Sequence, residues 1–110
     1  MDVIKSKQDI ENIFKHGKWF KHSFVSILIN KRVLNERDHI SGRVAFIAGK
    51  KTGNAVERNK AKRLLREAAR AQNLPYQNYD ILLVASKQTK DMSFKQINEA
   101  LAKVLMRAGL

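Results

Sequence analysis

Arg43-Val44-Ala45-Phe46-Ile47-Ala48-Gly49-Lys50-Lys51-Thr52-Gly53-Asn54, continuing into Ala55-Val56-Glu57-Arg58-Asn59-Lys60-Ala61-Lys62-Arg63-Leu64-Leu65-Arg66-Glu67-Ala68-Ala69-Arg70, changes its apolar pattern partway along. Residues 43–48 are an apolar run that predicts a strand. Gly53 lets the backbone turn tightly, and Asn54 with Glu57 has the spacing of a capping box. A long helix is therefore expected over about residues 55–72. At about 100° per residue, Lys62, Arg66, Asn59, Arg70 and Arg63 fall within about 140° of Arg58. Ala61, Leu64, Leu65 and Ala68 lie on the other side, suited to packing on a sheet.

The flanking segments complete a small α/β fold. Ser6 is a fair N-cap for a helix over about 7–16, with Gly17 just past its end and Ile10, Ile13 and Phe14 on one face. Ser23 to Ile29 is rich in β-branched and aromatic residues and predicts a first strand. Lys31 to Ser41 is polar and of mixed charge, as in a loop or strand ends. Tyr79 to Ala85 is nearly continuous in apolar residues, which predicts a strand buried on both faces. Ser93 and Gln96 have capping-box spacing ahead of a helix over about 94–108, closed by Gly109. The order is α-β-β-α-β-α, with room for an extra short strand. This is an α/β sandwich: one domain, residues 1–110, in which helices cover a small sheet.

Composition narrows the function. The chain has 22 Lys+Arg against 10 Asp+Glu, a net charge of +12. So large an excess repels itself in a compact chain, and a polyanionic partner relieves it. The absence of cysteine excludes disulfides and thiolate chemistry. No apolar run approaches the roughly 20 residues that span a bilayer. Met1-Asp2-Val3-Ile4-Lys5 lacks the apolar core of a signal peptide. A soluble cytoplasmic protein with no membrane partner is expected.

The charge is concentrated. Residues 50–70 hold eight basic and two acidic side chains, half of the net charge in a fifth of the chain. A solvated helix face usually mixes signs at i, i+4 spacing; the arc from Arg58 to Arg63 contains no acid. Long side chains at i, i+4 and i+8 can follow a sugar-phosphate backbone, and arginine can clamp a phosphate with two parallel hydrogen bonds. Lys50 and Lys51 extend the surface into the preceding turn, and free N–H groups at the helix start favour an anion. A helix reading base edges in DNA normally offers several Asn, Gln, Ser and Thr side chains; this one offers Asn59 among phosphate-type groups. Its small Ala/Leu face argues against a membrane-surface helix. His16, His22 and His39 are scattered, without metal-ligand spacing, and the few acids are dispersed. No catalytic residue and no protein metal site is therefore assigned.

These residues also carry a family resemblance. Gly49-Lys50-Lys51, Gly53-Asn54-Ala55-Val56 and Arg58-Asn59-x-x-Lys62-Arg63-x-x-Arg66 resemble the signature of the protein subunit of bacterial ribonuclease P. Phe14-Lys15-His16-Gly17, Tyr79-Asp80-Ile81-Leu82-Leu83-Val84 and Ser93-Phe94 agree with it, so the likeness spans nearly the whole chain. The alternative of a ribosomal or ribosome-assembly protein explains the charge equally well and leaves this ordered motif unexplained.

The resemblance implies a ribonucleoprotein endonuclease that removes the 5′ leader of precursor tRNA. It implies catalysis by the RNA subunit with Mg²⁺ bound mainly there, one protein per RNA, and a protein that favours precursor over product. It also implies a left-handed crossover between parallel strands, which the usual handedness rule would not give. Carried over residue by residue, Lys50, Lys51, Asn54, Arg58, Asn59, Lys62, Arg63, Arg66 and Arg70 would contact the catalytic RNA. Phe14, Phe20, Phe24, exposed residues of the first strand and Lys87 would line a leader cleft between the first helix and the sheet. Unpaired bases stack on aromatic side chains with little sequence preference. The family often has an aromatic where Ile10 stands and a tyrosine near Ile27 or Leu28; here both places are aliphatic, which implies stacking in the cleft that is either weaker or moved to Trp19 or Phe20. Trp19 itself is read as part of a basic loop.

Overall fold

The most apolar stretch becomes the centre of the sheet. In the computed structural model, which describes residues 2–32 and 40–110, the elements are α1 (Lys7–His16), β1 (Lys18–Phe20), β2 (Val25–Lys31), β3 (Arg43–Ile47), α2 (Ala55–Ala71), β4 (Tyr79–Ala85) and α3 (Phe94–Arg107). The strand order is β1-β2-β4-β3. Asp80 to Leu83 of β4 are all buried, because β4 has a strand on each edge and helices over both faces. β2 runs antiparallel to β1 and β4, while β3 runs parallel to β4 and joins it through α2.

Two expectations shift. The first predicted strand starts at Val25 rather than Ser23. Trp19, expected in a loop, lies in the extra short strand, paired with Leu28. Residues 33–39 of the predicted polar segment, His39 among them, lie outside the described residues.

Alternation along the strands divides the core in two. Val25, Ile27, Val44, Phe46, Ile81 and Leu83 meet Leu65, Ala68 and Ala69 of α2 and Ile97, Leu101, Val104 and Leu105 of α3 in the larger cluster. On the other face α1 and the N-terminal segment bury a smaller one: Ile4, Ile13, Leu28, Ala45 and Leu82. Ile4 is held there because Asp2 and Val44, then Val44 and Ile4, exchange backbone hydrogen bonds of 3.0 and 2.8 Å along the outer edge of β3.

The predicted caps form. Asn54 with Glu57 and Ser93 with Gln96 each make both bonds of a capping box. Ser6 accepts from the Asp9 N–H only, because the Asp9 carboxylate is used elsewhere. Arg43 donates to Asp9 at 3.0 Å and to both oxygens of Asp80 at 3.0 and 2.7 Å. Asp80 is 3% exposed, and Arg32 approaches it at 3.5 Å. The hydrogen bond to Asp80 holds the Arg43 guanidinium protonated even more firmly than usual. The polar residue inside the apolar β4 run is thus the anchor that ties β3, β4 and α1 together. Gly17 serves close approach: a Cβ there would stand 2.6 Å from the Ile13 carbonyl oxygen and 3.0 Å from Leu28.

Candidate nucleic-acid interface

α2 presents its basic residues in two rows. Ala61, Leu65, Ala68 and Ala69 are buried, so Arg58, Lys62 and Arg66 run half-buried along the boundary of the packed face. Asn59, Arg63 and Arg70 stand outside them in solvent. The Arg66 guanidinium carbon lies 5.2 Å from the centre of the Phe46 ring, a cation–π contact that orients the group without neutralising it. Among the described residues, the ion pairs involve only Arg32, Arg43 and Lys90 as cations. The five cations Arg58, Lys62, Arg63, Arg66 and Arg70 have no carboxylate partner there.

The turn into α2 is built to keep this surface in place. Lys50 and Lys51 sit exposed in a 3-10 turn, Lys50–Thr52, with Thr52 buried beneath. Gly53 has φ +136°, and a Cβ on it would meet the Glu57 carboxylate at 2.5 Å. Glyless backbone at that point would block the capping box. The Glu57 side chain accepts from the Asn54 N–H at 3.0 Å, and the Asn54 side chain accepts from the Glu57 N–H at 2.9 Å. Part of the anion seat expected at the helix start is therefore filled by the chain's own Glu57. The open site lies one turn further on, in a hollow of about 190 Å³ lined by Ala48, Ala55, Arg58, Asn59 and Lys62.

Ile47, the neighbour of Ala48 in that hollow, lies on the α1 face of the sheet. α1 covers the row Leu28, Leu82 and Ala45, which pair across the three strands and are buried. The next row, Ser26, Val84 and Ile47, pairs across the same strands on the same face and is only half-buried. Ile47 leads directly to Ala48 and the basic hollow. At the β1 end Trp19 shares the face of its cross-strand partner Leu28. Its ring centroid is 5.8 Å from that of Phe14; the two are 39% and 40% exposed. The Lys21 ammonium stands 5.7 Å from the Trp19 ring centre.

The structure separates the four residues expected in the cleft. Phe14 is in it. Phe20 pairs with Ile27 and packs with the large cluster on the opposite face; β1 is a strand, and strand alternation sends Trp19 and Phe20 to opposite sides. Phe24 also joins that cluster and contacts His22 edge-on, beside α3. Lys87 is exposed just past the end of β4. Trp19, read as a loop residue, stands on the α1 face beside Phe14, where Phe20 was expected. The signal that could have found it was the two-residue alternation of Lys18-Trp19-Phe20 against β2. Among the described residues no three His, Cys, Asp or Glu side chains stand together as metal ligands, and no helix is long and apolar enough to cross a membrane.

Comparison with known proteins gives one answer. The family model described as Ribonuclease P matches residues 2–109. The ribonuclease P protein component of Clostridioides difficile strain 630 is 33% identical over 110 residues, covering 97% of this chain and 91% of the relative. That of Fusobacterium nucleatum is 35% identical over 115 residues, covering 100% and 99%. The solved Staphylococcus aureus RNase P protein superposes with a TM-score of 0.79 at 30% identity, over 98% of this chain and 95% of that one. The Thermotoga maritima RNase P protein gives 0.77 at 25% identity, over 97% of each.

Proposed function

The chain belongs to the ribonuclease P protein family, and from that premise we propose that it is the protein component of a ribonucleoprotein endonuclease that removes the 5′ leader of precursor tRNA. The observation that carries the reading is the α2 face, where five cations in the family's register have no acidic partner among the described residues. Such a ridge neutralises phosphates and releases their counterions. Arg58, Lys62, Arg63, Arg66 and Arg70, with Asn59 and the exposed Lys50 and Lys51, dock the catalytic RNA.

The RNA subunit performs the hydrolysis and holds most of the Mg²⁺. The protein's part is electrostatic and positional, in a cytoplasmic complex of one protein and one RNA. The leader runs along the half-buried row Ser26, Val84 and Ile47. The exposed Phe14–Trp19 pair offers one or two bases a stacking surface, and the Lys21 ammonium lies close enough to meet the attached phosphate. Phe20 and Phe24 have no part in this contact. The continuity from Ile47 to the Arg58–Lys62 hollow brings the leader path and the RNA dock to one edge of β3, which links substrate binding to the catalytic RNA.

The test is reconstitution. Adding the purified protein to a bacterial ribonuclease P RNA and a precursor tRNA at low Mg²⁺ is expected to stimulate leader removal, while protein alone cleaves nothing. Absence of stimulation would overturn the reading. With about five phosphates neutralised, log K for the RNA subunit falls with log salt at a slope of about 3.5 to 4.5.

A further inference from the structure

Lys87 stands in a turn, residues 86–91, that is fastened at both ends far more firmly than an exposed connection requires. Thr89 is 0% exposed. Its hydroxyl donates to the Phe24 carbonyl at 2.6 Å and accepts from the Ser86 N–H at 2.8 Å. The Ser86 hydroxyl donates to the Ser23 carbonyl at 2.6 Å and accepts from the Gln88 N–H at 3.1 Å. Ser and Thr often brace their own turn; here the two donated bonds cross to the backbone before β2, 63 and 65 residues away in sequence. On the other side Lys90 donates to the Lys87 carbonyl at 3.1 Å and lies 3.8 Å from the Glu57 carboxylate in the α2 cap. One short turn therefore touches both the connection into β2 and the first turn of the RNA-docking helix.

We infer that Thr89 and Ser86 are positioning residues: their hydroxyls staple the turn so that the exposed Lys87 ammonium is held toward a leader phosphate at a fixed distance from α2. This rests on the leader contact that the family resemblance implies for Lys87, and adds the residues that aim it. A lysine on a loose turn would lose most of its contact to the entropy of ordering four side-chain torsions and the backbone beneath them. Staples from two hydroxyls remove the backbone share of that loss before the RNA arrives.

The experiment uses the protein assembled with a bacterial ribonuclease P RNA. Affinity is measured for a precursor tRNA with a leader of several nucleotides and for the same tRNA without one; their ratio isolates the leader. Lys87→Ala is expected to lower that ratio about fivefold, the worth of one partly exposed charge-assisted contact. Thr89→Val lowers it comparably, Thr89→Ser restores it, and the Lys87→Ala/Thr89→Val pair is no worse than either change alone, because both act through one contact. Affinity for the RNA subunit stays unchanged in Thr89→Val. An unchanged ratio in Thr89→Val, with Lys87→Ala lowered, overturns the staple and leaves the leader contact standing. An unchanged ratio in Lys87→Ala overturns both. Equal weakening of the two tRNAs, or of RNA-subunit binding, in Thr89→Val reduces Thr89 to a folding residue and also overturns the inference.

Discussion

Two groups of arginines in this protein share a chemistry and differ in everything around it. Arg43 is spent inside the fold: it bonds both oxygens of a nearly fully buried Asp80 and reaches Asp9 on α1. Arg58, Arg63, Arg66 and Arg70 on α2 have no acid partner among the described residues; Arg58 and Arg66 are half-buried, Arg66 over the Phe46 ring, and Arg63 and Arg70 are exposed. What separates the two groups is the supply of carboxylates within reach, which is what the proposed RNA dock on α2 requires. Asp9 and Asp80 are held by Arg43 and Glu57 by the α2 cap, and among the described residues no acid pairs with Arg58, Lys62, Arg63, Arg66 or Arg70.

The comparison is broken most easily at Arg43. Arg43→Ala strands a buried carboxylate with only Arg32 nearby, and is expected to reduce stability by about 3 kcal/mol in a urea melt. The salt slope of RNA binding should stay as it was; a lowered slope would place Arg43 in the interface. Trp19→Ala comes next. It should remove about 1–2 kcal/mol of leader-dependent binding, the worth of one stacked base, while affinity for mature tRNA is unchanged. An equal loss for both substrates would deny the Phe14–Trp19 surface its role.

Smaller effects sharpen the other side. Arg66→Ala should lower the salt slope by about one unit and stability by about 0.5–1 kcal/mol, because the contact over Phe46 is lost with the charge. Arg63→Ala should lower the slope equally while shifting stability by less than about 0.5 kcal/mol, since its side chain is exposed. If the two variants were equally stable, the half-buried and exposed rows of α2 would not differ as the structure has them.

Much of the architecture was legible because it rests on local chemistry. The α2 and α3 starts follow from capping boxes that satisfy N–H groups within one turn, and the β4 run reads as central because only a strand covered on both faces buries so many consecutive apolar side chains. The α2 ridge was legible for the same reason: helical periodicity converts spacing directly into direction. The proposed leader surface was less so. Phe14, Phe20 and Phe24 look alike in the chain, yet strand pairing puts Phe20 on the α3 face and raises Trp19 beside Phe14. A strand of three residues carries too little pattern to announce itself, and a shift of one residue reverses every side chain on it.

The sequence by itself determined the element order, the single basic face and the lack of any thiol chemistry, because each depends on residue identity and short-range geometry. Tertiary structure alone decided which aromatics share a face, that Asp80 belongs to Arg43, and that Thr89 reaches Phe24. Those are contacts between residues distant along the chain, set by strand register and by which helix covers which face, and no local propensity encodes them.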